Sequence, residues 1–238
     1  MISFINWIPV ATTFFSTIFF YIMLRHYQQK PTAIYLLWWT IGIACYGAGT
    51  LIESMNTVFG WTEWKFKAWY ITGALLGGWP LATGSVYLLF KKRTANVMTI
   101  IGLTIIVTAS ILTILSPINH QFVEGNRLTG KVLEWKFVRY ITPFINTYAF
   151  IFLVGGAVYS AIRYIRSKIY KARFIGNLAI AIGGLLPGIG GTYSKMGMTE
   201  VLYVTEFIGL LLIFYGYNLM KNDRVTSIHS NQQVFATE

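Results

Sequence analysis

The chain has 238 residues, 55% hydrophobic and 11% charged, with a net charge of +11. A soluble domain carries about 25% charged residues, so this composition excludes an ordinary soluble globular protein and predicts an all-α integral membrane protein. The single cysteine, Cys45, excludes an intrachain disulfide framework and a cysteine-based zinc site.

The amino-terminal stretch MISFINWIPVATTFF has no basic region ahead of its apolar run and is read as a retained helix, not a leader. Seven apolar runs then follow, each near the roughly 20 residues that cross a bilayer. Span 1 covers Phe4–Leu24, and span 2 covers Ala33–Ile52 and ends at Glu53. Span 3 is Ala68–Phe90 and span 4 is Val97–Leu115. The longest loop, Ser116–Val138, has turn residues at Gly125-Asn126 and Gly130, which predict a small hairpin. Span 5 is Tyr140–Ile162, span 6 Phe174–Tyr193 and span 7 Val201–Met220. Residues 1–224 form one transmembrane domain, and 225–238 are expected to be an unstructured polar cytoplasmic tail.

Lys and Arg placement predicts orientation. One set of loops holds Arg25, Lys30, Lys91–Arg93, the basic run Arg163–Arg173, Lys221 and Arg224. The opposite set has fewer basic residues and holds Glu53, Glu63, Glu124, Glu134 and Glu200. The first set is therefore expected in the cytoplasm, with the N-terminus outside and the C-terminus inside. The basic excess thus meets a membrane surface, and no nucleic-acid partner is expected. The bilayer is the expected partner, a bacterial inner (plasma) membrane the expected location, and self-association is left open.

Span 6 carries Gly183, Gly184, Pro187, Gly188, Gly190 and Gly191. Proline removes a backbone hydrogen bond and clashes with the preceding turn, so a kink or an unwound turn is expected between Gly183 and Gly191. Spans 1–3 also share short patterns with spans 5–7: Phe20–Tyr27 with Val158–Ile165, Gly47–Met55 with Gly188–Met196, and Trp69–Leu76 with Leu202–Leu211. A parallel repeat with span 4 as linker follows, which would place a binding site between the halves.

This three-plus-one-plus-three arrangement resembles the group of seven-helix membrane proteins that includes microbial opsins and the SWEET and PQ-loop carriers. Tyr203-Val204-Thr205-Glu206-Phe207-Ile208-Gly209 is similar to the opsin helix-seven pattern, and Pro187 resembles the opsin helix-six proline. The resemblance implies a scaffold for a sensor or small transporter. Phe207 stands where the retinal lysine would be, and Tyr203 where the counter-ion aspartate would be. No covalent retinal, and no other cofactor, is expected.

Candidate site residues follow from the cost of polar groups in hydrocarbon. Glu206 lies inside span 7, where a lipid-facing charge is penalised by several kcal/mol. Gly209, Ile213 and Gly216 continue its helical stripe, so it is expected to face a close-packed helix or a cavity. It then serves either as a ligand-binding acid or as a structural acid bonded across helices. Tyr203, Tyr70, Asn146 and Glu53 are expected at the same outer mouth, with Lys195 as a partner of Glu53 or Glu200. Trp79, beside Pro80 in mid-span, needs an acceptor for its N–H or a ligand to stack on. His26, His120 and His229 fall outside the spans at no metal-ligand spacing, and no base is placed to activate Ser85. The chain therefore reads as a non-enzyme that binds a small molecule or lipid. The alternative is a structural or accessory protein acting through its basic cytoplasmic loop.

Overall fold

The computed structural model describes residues 4–165 and 171–235, with side chains described to residue 223. These residues are almost entirely helical. A short 3-10 turn, Phe4–Trp7, leads into α1 (Ile8–Gln29), followed by α2 (Ile34–Phe59), α3 (Glu63–Trp69) and α4 (Trp79–Leu89). Then come α5 (Lys92–Leu115), α6 (Lys136–Ala149), α7 (Gly156–Tyr164), α8 (Lys171–Lys195) and α9 (Thr199–Phe235). Stretches of π-helix join α3 towards α4 (Tyr70–Leu75) and α6 to α7 (Phe150–Gly155). The chain thus makes seven helical passes among the described residues. Six of them are long and apolar enough to cross a membrane.

The remaining pass is the interrupted one, α3 to α4. Wide turns occupy Tyr70–Leu75, with Leu76 N–H donating to the Ile71 carbonyl at 3.0 Å. Residues 76–78 leave the helix, and Trp79-Pro80 starts a new one. Proline suits the first turn, where its missing N–H would be unpaired anyway.

No unwound turn forms at Pro187. Helix α8 runs unbroken through it, from Lys171 to Lys195. Pro187 still deprives the Gly183 carbonyl of its N–H donor. The neighbouring helix explains why this is tolerated: a Cβ on Gly209 of α9 would lie 2.6 Å from that oxygen and 3.1 Å from the Pro187 ring. Glycine at 209 therefore lets α9 close onto the freed carbonyl, which a side chain there would block. The same antiparallel seam pairs Gly176 with Gly216 and Gly190 with Leu202. Gly176, Gly183 and Gly190 of α8 are thus a packing stripe at seven-residue intervals, as small residues are at membrane helix interfaces.

Helices α1 and α2 meet along a hydroxyl seam, with Thr13 Oγ1 donating to Thr50 Oγ1 at 3.1 Å and 3.3 Å from Ser54 Oγ. The expected hairpin in the α5–α6 loop is reduced to one antiparallel bridge, Ile118 with Leu133. That loop folds back over the bundle end and buries Leu128, Val132 and Leu133 against Phe66 and Tyr70.

Two further expectations need correction. Helix α2 continues past Glu53 to Phe59, because a helix can outrun its apolar stretch where its last turns still pack. Helix α9 continues to Phe235, so most of the stretch read as an unstructured tail is helical. The basic run Arg163–Arg173 lies partly outside the described residues.

Candidate functional site

The α5–α6 loop end of the bundle gathers the chain's buried acid. Glu53 sits on the inner face of α2 at 2% exposure. Its Oε1 accepts a 2.8 Å hydrogen bond from the Trp69 indole N–H of α3, while its Oε2 is buried without a hydrogen-bonding protein donor. The Glu206 carboxyl of α9 lies beside Glu53. Two carboxylates are acceptors only, so they attract each other only with a proton or another cation between them. Tyr46 fixes the α9 backbone at this level by donating to the Glu206 carbonyl at 2.9 Å.

One turn from Glu206, Tyr203 is buried and within electrostatic reach of Glu53, Glu206 and Glu200. It also lines a cleft of about 170 Å³, with Asn6, Thr57, Asn126, Arg127, Thr199 and Glu200. Arg127 is ion-paired with Glu124 at 2.7 Å. The other ion pairs among the described residues are Lys67–Glu63 and Arg173–Asp223, so none neutralises Glu53, Glu200 or Glu206. Lys195, expected opposite Glu53 or Glu200, is exposed and makes no such pair. Buried Lys65 instead donates to the Gly60 carbonyl.

Of the residues read from sequence, Glu53, Tyr203 and Glu206 come together here. Tyr70 and Trp79 do not join them. Tyr70 exchanges a 2.7 Å hydrogen bond with Thr142, beneath Gly130 of the loop. Trp79 meets Trp38 edge-on at 5.3 Å. A Cβ on Gly102 of α5 would lie 2.6 Å from the Trp79 indole nitrogen. Its ring therefore fills a helix–helix contact and lines neither cavity described here. Asn146 is exposed, because Thr142, Ile145 and Ala149 take the inward face of α6.

Trp69, Tyr46 and Thr57 were not anticipated. Tyr46, Glu53 and Thr57 recur at seven and four residues, one stripe of α2, and that spacing was the available signal. At the opposite end, His26 closes α1 and its Nδ1 lies 2.7 Å from the Tyr217 hydroxyl. Between the two ends is an apolar cavity of about 30 Å³, among Phe19, Met23, Trp39, Leu153, Ile180 and Ile213.

No family model, curated protein or solved structure matches this chain. Function therefore has to be argued from the site.

Proposed function

We propose that this chain is a seven-span plasma-membrane protein that binds a small polar molecule, without transforming it, in the cleft at the α5–α6 loop end. The observation that carries this reading is Tyr203. Its buried ring lines the cleft and lies within electrostatic reach of the Glu53–Glu206 pair. A concave site with a few convergent polar groups is the usual form of a ligand pocket.

Membrane insertion is supported by the outer surface of the bundle. On α5, Ile100, Ile101, Leu103, Val107, Ile111 and Ile114 are all exposed, which water would penalise and lipid would not. The basic loops favour an outside N-terminus and an inside C-terminus, so the cleft opens outward. Binding is favoured over transport because the bundle centre beyond the acid pair is lined by apolar side chains. A carrier would need polar groups along the rest of its path. An opsin-like sensor scaffold without covalent chromophore fits this arrangement.

Native mass spectrometry of the protein released from lipid nanodiscs tests the proposal. A small co-purified molecule should be seen on the wild type and lost from Thr57→Leu, which fills the cleft beside Tyr203. A folded wild type that carries no such molecule and binds nothing from a metabolite mixture would overturn it.

A further inference from the structure

We propose that the cleft beside Tyr203 takes a small zwitterion, an α-amino acid with a short side chain. The inference rests on the binding role proposed above and names the chemistry of the ligand. The cleft is lined by one cation and one carboxylate, Arg127 of the α5–α6 loop and Glu200 in the first turn of α9. The two line the same space yet form no ion pair with each other. Arg127 pairs with Glu124, outside the lining, and Glu200 pairs with no Lys or Arg among the described residues. Opposite charges held apart across a cleft match a ligand that carries both, with its carboxylate toward Arg127 and its ammonium toward Glu200. A ligand of one sign would be attracted by one of these residues and repelled by the other.

The fold positions the Arg127 guanidinium. Its Nη1 donates to Glu124 Oε2 at 2.7 Å, and a Cβ at Gly197 would lie 2.6 Å from its Nη2. Glycine at 197, with φ +100°, therefore lets the guanidinium lie against the α8–α9 turn, two residues before Thr199 of the lining. Arginine has five N–H donors in a planar fork that suits a carboxylate, so the bond to Glu124 leaves donors over. The other lining side chains are Asn6, Thr57, Asn126, Thr199 and Tyr203, and each can form hydrogen bonds. The Tyr203 ring is the one large apolar surface among them. The cleft volume of about 170 Å³ is several times the roughly 30 Å³ that a water occupies in the liquid. Several waters or one small amino acid would fill it.

The test uses the full chain in nanodiscs and four probes. These are alanine, propionate (no ammonium), ethylammonium (no carboxylate) and lactamide (polar but uncharged). Affinity is read by isothermal titration at constant ionic strength. Alanine should bind saturably and about fivefold more tightly than each of the others, the upper end of what an exposed charge pair contributes. Each charge should account for its own part of that preference. Glu200→Gln should remove the preference for alanine over propionate and keep that over ethylammonium. Arg127→Gln should do the reverse. Glu200 is exposed, so its variant reads the assignment even where Arg127→Gln fails to fold. Any of the other three probes binding as tightly as alanine would overturn the zwitterion assignment. So would a Glu200→Gln protein that keeps the full preference for alanine over propionate. If no probe binds, the zwitterion assignment falls. The Thr57→Leu comparison by mass spectrometry then decides separately whether the binding role survives.

Discussion

Glu53 of α2 and Glu206 of α9 stand side by side inside the bundle, and Trp69 of α3 holds only one of them, donating to Glu53 Oε1 at 2.8 Å. Three separate helices therefore converge on one acid pair. Trp69→Phe keeps most of the ring but removes the donor. A buried carboxyl left without its partner should cost about 1–3 kcal/mol. Unfolding in mixed micelles measures this, with Trp64→Phe, at an exposed site, as the control. A Trp69→Phe loss no larger than that of the control would mean the indole bond contributes nothing.

The glycine seam between α8 and α9 gives a second prediction. A Cβ at Gly209 would lie 2.6 Å from the Gly183 carbonyl oxygen, a backbone atom that cannot move aside, whereas one at Gly188 meets nothing within 4 Å. Gly209→Ala should therefore destabilise by about 1–3 kcal/mol, as overpacking does. Gly188→Ala should be neutral or stabilise by up to about 1 kcal/mol, the difference in helix propensity. Equal losses at the two positions would contradict the packing described here.

The two prolines show what the sequence could and could not convey. Pro80 and Pro187 both sit beside glycines in apolar runs; a kink is expected beside each, and the richer glycine context of Pro187 admits an unwound turn there as well. The chain breaks at Pro80 instead, because whether a proline unwinds a helix depends on what meets the freed carbonyl. Gly209 does so for Pro187, and it is distant in sequence. The apolar runs themselves were legible from length and composition. So was the inward placement of Glu206, since a charge on the lipid side would be costly. Glu53 was read as a helix end because hydrophobicity stops there, and its burial depends on Trp69 and Glu206, which no local pattern reveals. The exposure of Asn146 was likewise set by which face of α6 turns inward.

Backbone amides should report the interruption between α3 and α4. Residues 76–78 lie outside helix, while 82–86 are fully buried within α4. Hydrogen exchange in nanodiscs should be faster at Gly78, whose amide lies in the gap between the two helices, than at 82–86, as expected where regular bonding lapses. Uniform protection across 70–89 would mean that the pass is a continuous helix.

Orientation is tested with reporter fusions. A fusion after Arg224 should report the cytoplasm, and one inserted beside Gly125, at a loop turn where an added Cβ meets no neighbour, should report the outside. The opposite pattern would place the cleft on the cytoplasmic face and overturn the proposed direction of access.

The central claim is that Glu53 and Glu206 act as one unit, and a double-mutant cycle of Glu53→Gln, Glu206→Gln and the pair tests it most directly. Each amide keeps the shape of the acid and changes its charge and donors. Groups in direct contact give coupling energies of about 0.5–3 kcal/mol, whereas distant ones add to within about 0.3–0.5 kcal/mol. The arrangement described here predicts coupling of at least about 0.5 kcal/mol in the unfolding free energies measured in micelles. Additivity of the two single substitutions would show that the acids do not meet, and the site built on them would fall.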